Sequence, residues 1–163
     1  MMKKSLISTL FTSAIIFNCM AQPSLIKKGY AFFTVSLPGN IIVIKGKTIP
    51  TAHNVERFIY VETKGSETPD VDSVIYRGIP VKVSIQAAGD QPFTPGIKKS
   101  NGQKIILTPQ KGNHLWKITL QEITGSLSVP KHSRPIVIRE HIDSRTRNFI
   151  INKEDELSTP DRY

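Results

Sequence analysis

The side chains that could do chemistry in this chain are few and dispersed. There is one cysteine, Cys19, and there are four histidines, His53, His114, His132 and His141. His141 and Asp143 stand two apart, which on a strand places both on one face and would offer a metal two ligands. A closed metal site needs three or four ligands, so an exposed hairpin of mixed polar residues explains the pair more simply and no metal is expected. Asp70 with Asp72, or Glu154, Asp155 and Glu156, could supply paired carboxylates for acid–base work. Both groups fall in stretches that read as loop or tail, with no apolar pocket to shift a carboxylate, and are read as solvated surface. The chain has no G-x-S-x-G elbow, H-E-x-x-H pair, P-loop or dinucleotide fingerprint, so no cofactor is expected. The enzymatic alternative is a small secreted hydrolase or metal-dependent enzyme whose site is assembled from distant residues.

Charge gives a second set of candidates. Twenty-two Lys and Arg against thirteen Asp and Glu make the formal charge +9. Lys131, His132, Arg134, Arg139, Arg145 and Arg147 concentrate in the last third, and Arg145 and Arg147 share a face if their segment is extended. Such a patch suits an acidic glycan or the acidic surface of another envelope protein. The plainer reading is that these side chains solubilise an edge hairpin and guard it against unwanted strand addition. Nucleic acid is not expected, because no aromatic residues interleave the basic ones to stack on bases. Phe93 lies in a stretch that reads as loop, either as a contact residue or as a plug over one end of the domain, and the plug is preferred. The binding candidates are therefore Arg134, Arg139, Arg145, Arg147 and Phe93.

Cys19 belongs to a different argument. Lys3 and Lys4 are followed by an apolar run from Leu6 to Phe17 and then by Cys19-Met20-Ala21 before Gln22, the pattern of a signal peptide cut after a small residue. Cleavage is placed between Ala21 and Gln22. The run of about a dozen residues is short of the ~20 needed to cross a bilayer, so a signal helix rather than a transmembrane span is expected. The alternative is a lipoprotein signal in which Cys19 carries the lipid anchor; Asn18 directly before it is a poor match for that processing. Either route makes the protein exported, to the periplasm or the extracellular space. Cleavage after Ala21 would leave the mature chain with no cysteine, so its core would hold by packing alone.

The elements that must position any site are strands. Val81, Val83, Ile85 and Ala87 alternate with Lys82, Ser84 and Gln86, and Trp116, Ile118 and Leu120 alternate with Lys117, Thr119 and Gln121, the period of a strand with one face in the core. Residues 31–37 and 57–62 are rich in aromatic and β-branched side chains, which favour strands. Pro38-Gly39 predicts a tight turn joining 31–37 to 41–45, and residues 109–113 a turn joining 104–108 to 114–122. Residues 90–96 with 100–102 read as a long loop, and 65–72 as an exposed connection with a turn around Pro69-Asp70. Residues 129–135 read as a linker, 136–142 and 148–152 as a hairpin that either docks on the main body or stands apart, and 153–163 as a polar terminus.

The expected fold is all-β: a small antiparallel β-sandwich of immunoglobulin-like size, with a barrel as the alternative. The expected division is a signal peptide at 1–21, the sandwich at 22–124, and a basic linker, hairpin and tail at 125–163. The function read from this is that of an exported, non-enzymatic interaction module.

Overall fold

In the computed structural model the chain is built from strands. The structure describes residues 24–36, 43–44, 47–48, 54–121 and 134–158. The leader with Cys19, Ala21 and Gln22, the turn at 38–40, and Lys131 and His132 lie outside the described residues. Among the described residues there is no helix, and hence none long and apolar enough to cross a membrane.

The strands in chain order are β1 (Ile26–Ser36), β2 (Val43–Ile44), β3 (Lys47–Thr48), β4 (Asn54–Lys64), β5 (Val71–Tyr76), β6 (Ile79–Val81), β7 (Val83–Gly89), β8 (Phe93–Ile97), β9 (Lys104–Leu107), β10 (Asn113–Leu120), β11 (Ile136–Ile142), β12 (Arg145–Ile151) and β13 (Glu154–Leu157). They form a five-stranded sheet ordered β13-β1-β4-β10-β7, a four-stranded sheet ordered β12-β11-β5-β6, and two pairs, β2-β3 and β8-β9.

The central five-stranded sheet is covered on both faces. In β4 the run Phe58-Ile59-Tyr60-Val61 has no polar residue because alternate side chains enter two different cores. Ile59 and Val61, with Ala31, Trp116 and Ile118, meet Val74, Tyr76, Val81, Ile136, Ile138 and Ile151 of the four-stranded sheet in one buried cluster. Phe58 and Tyr60, with Phe32 and Leu115, form a second cluster with Leu107 and Leu157, and Phe93 and Ile105 of the β8-β9 pair pack against it. Trp116 resolves its one polar atom by donating its indole N–H to Thr63 Oγ1 at 2.9 Å, as a buried indole requires.

Several expectations are corrected by the pairing. The alternating run around Val81 to Ala87 is two strands in two sheets: Val81 pairs with Val74, Val83 pairs with Leu120, and between them Lys82 uses its carbonyl to accept the Gln121 N–H at 2.8 Å. The alternation survives because the chain turns a corner between sheets while its apolar side stays on the shared core. Val43 and Ile44 pair with Thr48 and Lys47 and not with β1, and the antiparallel partner of β1 is β4. Likewise β9 pairs with β8 and not with β10, because the turn at 110–113 carries the chain from one layer to the next. The expected long loop thus contains β8, and 100–102 lie in the turn between β8 and β9. In the connection at 65–72, no turn forms at Pro69-Asp70, and Pro69 is fully buried.

The C-terminal third is woven into both sheets. β11 and β12 form the expected hairpin, joined by Asp143 and Ser144 with φ of 47° and 64°, the left-handed pair of a two-residue hairpin turn. β11 also pairs with β5, so the hairpin docks on the main body. The expected polar tail contains β13, which pairs in parallel with β1; the central sheet is therefore mixed and not purely antiparallel.

Candidate functional site

Of the predicted basic residues, Arg139, Arg145 and Arg147 divide between the two faces of the β11-β12 hairpin. Arg139 stands opposite Asn148, whereas Arg147 stands opposite Glu140 and Arg145 opposite Ile142. Arg145 and Arg147 therefore share a face and Arg139 points from the other, since directly paired residues lie on the same side of a sheet. Arg134 and Arg139 are exposed, and Arg147 is half-buried. Phe93 is half-buried with its ring centroid 5.2 Å from that of Tyr60, which makes it part of the cover over the second core. His141 Nδ1 lies 3.4 Å from Thr146 Oγ1, and among the described residues no three His, Cys, Asp or Glu side chains converge to hold a metal.

The carboxylates of β13 are part of the fold and not a solvated tail. Glu154 is buried where β13 meets the core: Tyr76 donates its hydroxyl to Glu154 Oε2 at 2.9 Å, and Arg57 Nε donates to the Tyr76 oxygen at 2.8 Å. Burial pushes the Glu154 carboxyl above its ordinary value, against the opposing pull of the Tyr76 hydrogen bond and of Arg57 and Arg77. Burial likewise raises the Tyr76 phenol, with Glu154 adding to it. Glu62 is the opposite case. Burial would raise it, but the Gln110 N–H, the Asn113 amide and the Lys28 ammonium together hold it below its usual value, with contacts at 2.9 Å, 2.6 Å and 3.2 Å. These bonds pin the turn that sends the chain from β9 to β10. Glu140 is buried with neither carboxylate oxygen hydrogen-bonded among the described residues.

A groove of about 500 Å³ lies beside β1. Its floor is β1 from Gly29 to Phe32, one bank is β9 from Lys104 to Leu107, and the other is β12 from Phe149 to Ile151, closed at one end by Lys153 and Asp155. Three strand edges border it. β13 covers β1 only from Ala31 to Thr34, so among the described residues Ile26 to Tyr30 have no strand on the side away from β4. β12 is the outer strand of its sheet and β9 pairs only with β8. On the banks Ile106 and Ile150 are 59% and 55% exposed, two of the few large apolar side chains left to solvent.

Gly29 sets the width of the groove. A Cβ there would stand 2.7 Å from Phe149 Cε1 and 2.8 Å from Ile151 Cδ1, so a larger residue would push these two side chains of β12 aside. The ionisable side chains along the groove are Lys98, Lys104, Lys153 and Asp155, three cations to one anion. Asp155 Oδ1 takes both Lys98 at 3.0 Å and Lys153 at 3.2 Å, and its hydrogen bond holds the Lys98 ammonium above the ordinary lysine value. Lys104 is exposed and forms no ion pair with another described residue. Apolar floor, strand edges without a pairing partner among the described residues and net positive charge can hold an extended chain.

None of the groove residues was among the predicted binding residues. Their signal was present: Ile105-Ile106-Leu107 and Phe149-Ile150-Ile151 are runs of three apolar residues on strands, so where one face is buried the middle residue must face outward. No protein-family model, curated protein or solved structure matches the chain.

Proposed function

We propose that the chain is an exported, non-enzymatic protein with a sandwich of immunoglobulin-like size, an interaction module of the periplasm or extracellular space that grips its partner in the groove beside β1. The leader pattern before Gln22 supports export. The observation that carries the binding reading is the convergence on one apolar groove of three strand edges with no pairing partner among the described residues, with Ile106 and Ile150 exposed on its banks. Open edges bind extended segments through main-chain hydrogen bonds, while side-chain pockets choose among them.

The test is selection of random linear twelve-residue peptides displayed on phage against the chain starting at Gln22, with the Ile106→Asp/Ile150→Asp double variant as the control. Peptides enriched on the native protein and not on the variant are expected. No enrichment, or enrichment indifferent to the two substitutions, contradicts the proposal.

A further inference from the structure

We infer that the groove takes an extended acidic segment of a partner protein, added as a strand to the open half of the β1 edge. This rests on the groove being a binding site, and it names what binds.

The chain itself shows what this edge accepts. On the other half of the same edge sits β13, Glu154-Asp155-Glu156-Leu157, paired with β1 from Ala31 to Thr34. Each acidic side chain meets a cation: Glu154 faces Arg57 at 3.9 Å, Asp155 is held by Lys98 and Lys153, and Glu156 by Lys99 at 2.6 Å. Leu157 then anchors the strand in the second core. An acidic strand with an apolar anchor is therefore the internal solution for closing half of this edge.

The open half offers the same chemistry without the occupant. Tyr30 gives an apolar floor, Ile105, Ile106 and Ile150 give apolar banks, and Lys104 has no counter-ion among the described residues. Three lysines against one aspartate favour a negatively charged guest, which complementarity would steer and select. A second copy of this chain is the weaker guest, because it carries a net positive formal charge with or without the leader and would bring like charge to a basic groove.

The test uses three synthetic ten-residue peptides capped at both ends. Two share alternating valines and threonines and differ in having glutamate or lysine at the remaining positions; the third is the glutamate peptide with alternate backbone nitrogens methylated. The glutamate peptide is expected to bind at least about tenfold more tightly than the lysine peptide at low salt. Its advantage should shrink as salt is added and fall with Lys104→Glu, and the methylated peptide should lose binding. Equal affinity for the two charge forms overturns the acidic assignment and leaves the groove reading intact. Unimpaired binding of the methylated peptide overturns strand addition. Binding of neither unmethylated peptide, or a dimer in sedimentation that Ile106→Asp dissociates, overturns the proposal in favour of a different guest.

Discussion

The two halves of the outer edge of β1 face the same problem and answer it differently. From Ala31 to Thr34 the edge is closed by β13, with three carboxylates on cations and Leu157 in the core. From Ile26 to Tyr30 no described strand pairs with it on that side, and the groove opens at Gly29 and Tyr30. Unpaired edges expose a row of donors and acceptors that invites other chains, and proteins commonly blunt them. Here one half is closed from within and the other is left with an apolar lining and basic rim, so the open half is read as a place kept for a partner.

The strongest way to break this contrast is to remove the anchor of the closed half. Leu157→Ala should cost about 2–5 kcal/mol, the range for truncating a buried leucine, measured as a lowered urea midpoint. A cost under about 1 kcal/mol would mean that β13 is only loosely held and that the two halves differ little. On the open half, Gly29→Val should destabilise by about 1–3 kcal/mol as Phe149 and Ile151 are pushed away, and it should also alter peptide binding. A neutral effect would show that β12 does not depend on the gap left by glycine.

The carboxylates sharpen the contrast through pH. The native state holds a proton on Glu154 more tightly than the unfolded chain does, so its contribution is full below the ordinary carboxylate value and is lost as pH rises through the raised one. Glu62, held below its ordinary value, contributes above that value and loses its contribution as pH falls through the lowered one. In urea titrations across pH, Glu154→Gln should remove the alkaline-side loss and Glu62→Gln the acid-side loss. Exchange of those two outcomes would contradict the assignment. The smallest effect on stability belongs to Ile106→Ser with Ile150→Ser: the unfolding free energy from urea titration should change by no more than about 0.5 kcal/mol, as for exposed positions, while peptide binding disappears. A large loss of stability would make these residues part of the core.

Strand content was legible in the sequence because alternation is local: Trp116, Ile118 and Leu120 face the core as their spacing required. Pairing was not, since Val81 and Val83 keep one phase while belonging to different sheets, and a period of two says nothing of which neighbour a strand takes. The acidic stretch around Glu154 read as solvated tail because its partners, Arg57, Tyr76 and Lys98, are more than fifty residues away. The groove was half legible. Its two apolar triplets announced outward-facing isoleucines, but nothing local indicated that β9 and β12 would flank the same stretch of β1.

The most direct measurement is backbone amide hydrogen exchange of β1 with and without the glutamate peptide. Strand addition predicts new protection of at least one amide between Gly29 and Tyr30, or in Ile26 to Lys28, that does not serve β4, with amides from Ala31 to Thr34 unchanged. Binding without any added protection in Ile26–Tyr30, or protection confined to β6 or β7, would contradict it.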